Sequence, residues 1–380
     1  MGYSLLGIKT PHWKSLRTKI SPIFTTGKMK MMMPLIKECG ENLNNYIKTV
    51  LNKKSEAKEI TGKYTTDVIT TCAFGIAANS FVDENSEFRI AGRKLAGDSF
   101  CRYIQALSYS FGHLFVRLFK FKFIEADAAK FLSDVFLETI EQRESSKFKR
   151  NDLIDILIEL KNQEDWDDDF KFDGDRLVAQ AIIFFSAGHE TTNSTISFTL
   201  HELCLNQEIQ DKLREEIKNI INKHGELTYE AVQDMEYLHM IICETLRKYP
   251  LTPFIQRECV EDYEIPETGL IIEKGTPVVI PQHGLHWDEK YFPNPQTYDP
   301  ERFSAENKSN ITPFTYLPFG NGPRNCIGER FAMLSSKLGI IYIINNFSVV
   351  RNSDTQNPLT FCRSDLLQAK GGIRLTFTDI

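Results

Sequence analysis

At 380 residues, 42% of them hydrophobic and 25% charged, the chain can bury a large core as one big domain or two. A formal net charge of -6 argues against non-specific binding to nucleic acid. Eight scattered cysteines without a C-x-x-C pair offer neither a disulfide framework nor a structural zinc site, and read as reduced intracellular thiols. No apolar run is long enough to span a bilayer, and nothing at Met1 reads as a signal peptide; Ile182–Phe185 and Ile340–Ile344 are short and read as core.

Pro11 suits the first turn of a helix over 11–20, which sets Trp13 and Arg17 on one face as i,i+4 neighbours. Taken alone, that pair reads as a core tryptophan with an arginine running past it. The Lys- and Met-rich stretch Gly27–Met33 reads as soft apolar filler with solvated lysines, or as a basic surface for an acidic redox partner. Two helices are predicted over 35–80, the second, Tyr64–Phe74, apolar enough to be buried. Residues 100–124 hold six phenylalanines with cations interleaved. They read as two amphipathic helices on the core, or as a lid over a substrate channel that also dips into a membrane surface. A helix over 151–160, capped by Asn151 or Asp152, precedes a solvated acidic loop, Glu164–Asp175.

A long helical pattern then runs to about Leu205 and contains Ala187-Gly188-His189-Glu190-Thr191-Thr192. Gly188 weakens the helix, and Thr191 can bond back to a carbonyl one turn earlier, so a local widening or kink is predicted there. An acid and a hydroxyl beside such a groove can relay protons; the bland alternative is a Thr-rich helix without chemistry. His189 is not taken as a ligand. Glu244 and Arg247 pair at i,i+3, and their neighbours Met240, Ile241, Ile242 and Leu246 imply burial. A buried pair needs further hydrogen bonds, which Arg302 can supply. Eleven of the fifteen prolines lie between 250 and 323, which predicts short strands, Val278–Ile280 among them, and ordered coil.

The loop Pro318–Gly328 is rich in glycine and holds Cys326 just before a helix predicted over 327–345. A sulfur near a helix N-terminus, with Arg324 two residues away, is expected to have a lowered pKa, and Arg324 can fork onto a carboxylate. Taken alone, Cys326 is a small buried apolar residue. The paired Gly371 and Gly372 mark a turn before a last strand.

The pattern Phe319-x-x-Gly322-x-Arg324-x-Cys326-x-Gly328 resembles the haem-binding loop of the haem-thiolate monooxygenases, the cytochromes P-450. The Trp13/Arg17 helix, the Ala187–Thr192 centre and the Glu244/Arg247 pair appear in that family's order, from about Lys9 to the end. The resemblance implies a mainly α fold with small β-sheets and one haem-binding domain over 1–380. It implies haem b with Cys326 as thiolate ligand and Trp13, Arg17, Arg257 and Arg324 around its propionates, with Phe319, Gly322 and Gly328 shaping the loop. Ala187, Gly188, Glu190 and Thr191 would serve dioxygen and protons, while Glu244, Arg247 and Arg302 would lock the cysteine loop. Phe184, Leu251, Thr252 and Ile255 would meet a small lipophilic substrate.

Further implications are electrons from NADPH through a cytochrome reductase, cytochrome b5 as a second donor, and the cytoplasmic face of the endoplasmic reticulum membrane. Gly284–Asp288 and Pro300–Phe303 look most similar to insect detoxification members of microsomal type. Against the family the chain starts late, without the anchor helix, hinge, first strands and earliest helices, so weakened haem binding is expected. Two rivals remain open: a haem-thiolate isomerase or dehydratase needing no reductase, and a truncated, catalytically impaired remnant.

Overall fold

The computed structural model describes residues 2–95, 125–146, 149–150, 152–163, 166 and 172–380. The phenylalanine-rich stretch over 100–124 and much of the acidic loop lie outside the described residues. The helices are α1 (His12–Ile20), α2 (Thr26–Thr49), α3 (Ala57–Ile69), α4 (Glu87–Leu95), α5 (Ala126–Ser146), α6 (Leu153–Lys161), α7 (Gly174–Leu205), α8 (Gln207–His224), α9 (Tyr229–Asp234), α10 (Glu236–Lys248), α11 (Gln282–Trp287) and α12 (Glu329–Ile344). The strands are β1 (Lys54–Glu56), β2 (Ile255–Glu258), β3 (Tyr263–Ile265), β4 (Leu270–Ile272), β5 (Pro277–Ile280), β6 (Phe347–Val350) and β7 (Arg374–Asp379). They form a three-stranded antiparallel sheet, β1–β7–β6, and two hairpin-sized pairs, β2–β5 and β3–β4. The mainly α architecture with small sheets is the one expected. Among the described residues, no helix is long and apolar enough to cross a membrane.

α7 runs through the core, and its second half is buried on every side. That half is rich in Ser, Thr and Asn, which stay satisfied by bonding carbonyls one turn back: Thr195 to Thr191, Ser197 to Asn193, Thr199 to Thr195. α3 uses the same device and meets α7 through Thr61, whose hydroxyl donates to Asn193 Oδ1 at 2.6 Å. Small residues let the backbones close up. A Cβ added at Gly339 of α12 would stand 2.9 Å from both Tyr64 and Ile196, and one at Gly40 of α2 would enter the Tyr342 ring. The Met-rich stretch lies in α2 with Met29, Met32 and Met33 buried, as the filler reading expects. Asp152 caps α6, accepting from the Asp155 amide.

The Glu244–Arg247 pair on α10 anchors the proline-rich region. Both residues are fully buried, and the guanidinium meets both carboxylate oxygens at 2.7 Å. Its remaining donors reach the carbonyls of His286 (3.0 Å) and Pro295 (2.8 Å). Glu244 Oε1 accepts from the Asp299 amide at 3.0 Å, and Arg302 Nε stands 3.6 Å from the same oxygen as a neighbouring charge; the further hydrogen bonds expected of Arg302 come instead from that amide and the two carbonyls, while Arg302 donates to Asn294 O. His286, which the sequence reading passed over, continues the chain of bonds. Its Nε2 accepts from the Leu317 amide at 3.0 Å, at the entrance to the cysteine loop. Burial, with Arg247 adding to it, pulls the His286 pKa down to about 4, so the ring stays a neutral acceptor.

These contacts have measurable consequences. Gly40→Ala gains about 1 kcal/mol of helix propensity but drives a methyl into Tyr342, and overpacking costs about 1–3 kcal/mol; the melting temperature should fall, and a rise would contradict the close approach. Arg247→Met leaves Glu244 buried without its partner and should cost about 3–5 kcal/mol in denaturant unfolding; a loss under about 1 kcal/mol would contradict the lock. The folded His286 pKa lies below the unfolded value of about 6.5, so the unfolded chain takes up the proton. Stability should therefore decline as pH falls from about 6.5 towards 4, and His286→Gln, an acceptor that does not titrate, should remove part of that slope. An unchanged slope would contradict the assignment.

Candidate functional site

The loop that carries Cys326 is a tight turn held by its own backbone. Gly320 (φ 71°) and Gly322 (φ 78°) take the left-handed conformation that residues with a side chain rarely adopt. The Cys326 amide donates to the Phe319 carbonyl at 2.8 Å and closes the turn. The sulfur-bearing side chain is solvent-accessible, three residues before α12. The crowd of surrounding atoms still pushes the thiol pKa up, Glu329 adds to that, and the Gly328 amide and Arg17 oppose it. This corrects the expectation of a lowered thiol pKa. The nearby cation acting on the sulfur is Arg17, and the helix end does not outweigh desolvation.

Three guanidinium groups form a collar around this loop. Arg17, on α1, donates to Asn325 O at 2.9 Å and Asn325 Oδ1 at 3.0 Å. Arg324 lies over the Trp13 ring, 4.3 Å from its centroid, and donates to Ile8 O at 3.0 Å. Arg257, on β2, donates to Asn321 O at 3.0 Å. All three spend donors on oxygens of the chain, and burial lowers the pKa of each. Arg257 also repels Arg324, while Glu258, which offsets this, is paired with Lys9 at 2.8 Å. A pair of carboxylates is the ligand such a collar suits.

Across from the loop, one stripe of α7 stays open. Phe184, Ala187, Gly188 and Thr191 stand at i, i+3, i+4 and i+7, and all four keep solvent access while the helix beyond them is buried. Phe24 links the two parts: its ring stacks on Phe184 at a centroid distance of 5.8 Å and sits 3.7 Å from where a Cβ at Gly328 would stand. Thr191 Oγ1 donates to Ala187 O at 2.6 Å, as predicted. The predicted widening at Gly188 does not form. α7 is α-helical throughout, and Gly188 instead admits Ile69, whose Cδ1 would lie 2.7 Å from an added Cβ. A π turn does occur, at Thr70–Phe74 on the end of α3.

Glu190 does not join the open stripe. It is buried on the other side, 2.5 Å from Lys58 Nζ, and burial raises its pKa against the pull of Lys58. Ile255 shares one face of β2 with Arg257, the face turned from solvent, which agrees with a place beside the loop. Leu251 is half-buried against the core and its carbonyl accepts from the Leu367 amide. Thr252 is exposed and bonds Gln282 Oε1 at 3.1 Å. Sequence reasoning missed Phe24, Lys58, His286 and Asn325. Of these Asn325 stood inside the cysteine-loop pattern and His286 inside the Gly284–Asp288 stretch, whose resemblance carried no role for the ring.

An accessible sulfur, a positive collar with an indole, and an apolar stripe with one hydroxyl suit a flat apolar group that carries carboxylates and a metal. The donor set thus fits haem. Comparison with known proteins agrees. The family model described as Cytochrome P450 matches residues 1–377. The chain is 46% identical to cytochrome P450 6k1 of Blattella germanica, over 96% of this chain and 74% of that protein. It is 41% identical to a probable cytochrome P450 6g2 of Drosophila melanogaster, over 97% and 75% of the two chains. Identity to cytochrome P450 9e2 of Blattella germanica is 37%, over 94% and 73%. Sequence motifs, fold, site and kinship lead to one conclusion: the chain belongs to the cytochrome P450 family of haem-thiolate monooxygenases.

Proposed function

We propose that residues 1–380 form one haem-binding domain that inserts one atom of dioxygen into a small lipophilic substrate. Electrons would come from NADPH through a cytochrome reductase, with cytochrome b5 as a second donor, on the cytoplasmic face of the endoplasmic reticulum membrane. The observation that carries this reading is the accessible Cys326 inside a collar of three arginines, joined through Phe24 to the open stripe of α7. Bound haem b would supply dioxygen activation, which a thiolate ligand favours.

The protein's own residues have distinct tasks. Arg17, Arg257 and Arg324 would exchange their carbonyl partners for propionates, with the Trp13 ring backing Arg324. Gly322 and Gly328 carry no side chain, so the loop backbone can approach a bound group closely, and Phe319 holds the Cys326 amide. A thiol whose pKa is raised when free would lose its proton to solvent once a bound cation took the proton's place, since such a cation favours the thiolate far more than any neighbour here does. Phe184 and Ala187 offer apolar contact, and Leu251, Thr252 and Ile255 are assigned to the same pocket; a charged substrate would find no partner on the stripe. Thr191 holds its proton at Oγ1 against the Ala187 carbonyl and is the hydroxyl placed to pass it on.

Two experiments test this. Turnover with a reductase and NADPH under labelled dioxygen should place one labelled oxygen in the product; NADPH-independent turnover without label would overturn the oxygenase reading in favour of an isomerase or dehydratase. Arg324→Leu removes a charge-assisted contact worth about 1.5–3 kcal/mol, so haem transfer to an apo-globin acceptor should speed up by about 10–100-fold. An unchanged transfer rate would remove Arg324 from the collar.

A further inference from the structure

Gln180 is fully buried on α7, one turn before Phe184, and continues the open stripe along the same face of the helix. Its amide is used as if it were a piece of backbone. Oε1 accepts from the Leu5 amide at 2.8 Å, while Nε2 donates to Tyr3 O at 2.7 Å and to Arg176 O, one turn back, at 2.9 Å. Both of its N–H groups and its oxygen are thus engaged. The Arg176 guanidinium also lies over the Tyr3 ring, 5.3 Å from its centroid. Two successive turns of α7 therefore hold residues 3–5 down.

The segment held in this way is a short closed turn. Ser4 O accepts from the amides of Gly7 at 2.9 Å and Ile8 at 2.8 Å, and Ser4, Leu5 and Ile8 are buried. At its far end Arg324 donates to Ile8 O, the contact it would exchange for a propionate. The bonds to Gln180 make no use of the collar and would outlast that exchange. The stripe is thus open from 184 to 191 and covered at Gln180. Seven residues of helix span about 10 Å, the free length that an apolar ligand finds along α7 before it meets the covered turn.

We propose that Gln180 is a positioning residue that fixes segment 3–8 as the end wall of the stripe, and thereby sets the length of lipophilic substrate that the protein accepts. The proposal rests on the reading of the stripe as the substrate side. Without the Gln180 amide, the Leu5 N–H and the Tyr3 carbonyl lose their partner in a buried place, and the segment must swing out to water to satisfy them. The pocket then lengthens along α7 with Phe184, Ala187 and Thr191 unchanged.

The test uses the full chain and three variants. Gln180→Leu removes the amide. Gln180→Glu keeps an acceptor for the Leu5 amide in either protonation state. Leu5→Pro removes that amide from the other partner, at the turn position where proline is favoured. Hydrogen exchange of peptide 2–9 should speed up about tenfold or more in Gln180→Leu and stay near the wild-type rate in Gln180→Glu. The holoenzyme is then titrated with N-butyl-, N-octyl- and N-dodecylimidazole, whose heads anchor at the haem while only the tail grows. Wild-type affinity should rise from butyl to octyl and gain nothing at dodecyl, and Gln180→Glu should keep that order. In Gln180→Leu and Leu5→Pro the dodecyl compound should bind about tenfold or more tighter than the octyl. Unchanged exchange in Gln180→Leu overturns the proposal. So does a wild-type dodecyl-to-octyl ratio in both Gln180→Leu and Leu5→Pro, or a wild-type protein that already favours dodecyl by that margin. Failure of the substrate-side reading shows separately, as wild-type affinity that does not grow from butyl to octyl; it takes the wall role with it, while the exchange result still reports whether Gln180 holds the segment.

Discussion

The buried ion pair between Glu244 and Arg247 is the constraint on which the cysteine loop depends. Two charges removed from water are tolerable only when every donor and acceptor is used. Here the guanidinium binds both carboxylate oxygens and the carbonyls of His286 and Pro295, and the carboxylate takes the Asp299 amide. A region with too many prolines for long helices is thereby pinned to α10 at several points. His286 carries the pin onward to Leu317, and the loop to Cys326 begins at the next residue. The pair thus acts on the chemistry through geometry, by fixing where a backbone turn can stand.

The two faces of the site are built on opposite principles. On the loop side the chain concentrates positive charge, and among the described residues Arg17, Arg257 and Arg324 have no carboxylate bonded to them and settle for chain oxygens. On the α7 side the stripe is apolar apart from Thr191, and its four positions keep contact with solvent where the helix beyond them is buried. A ligand that is apolar in the middle and anionic at one edge satisfies both sides. The same helix separates Thr191 from Glu190. Thr191 lies on the open stripe, while Glu190 lies behind it in the pair with Lys58. Neighbours in sequence therefore face different surroundings, because successive helical residues point about 100° apart.

Much of this was legible in the amino-acid order, and the remainder was hidden for physical reasons. The Phe319–Gly328 pattern, the Glu244/Arg247 spacing and the long Thr-rich helix are local features, and local features survive in sequence. The placement of Arg302 beside Glu244 was anticipated because a buried pair demands a further partner. What failed was reasoning from single residues about crowded places. Gly188 looked like a helix defect, yet it is the seat of Ile69. Arg324 looked like the cation of Cys326, yet it turns to Trp13 and Ile8, and Arg17 acts on the sulfur. Lys58 and Phe24 gave no signal, because their roles come from contacts across more than a hundred residues of chain. Such pairings depend on packing between elements, which periodicity does not encode.

The central claim is that Cys326 ligates haem through its thiolate, and the ferrous carbon-monoxide difference spectrum of the expressed chain tests it most directly. The account predicts the red-shifted Soret band of thiolate ligation in the wild type and its loss in Cys326→Ser. A soluble wild-type protein without that band, or a Cys326→Ser variant that retains it, would contradict the account.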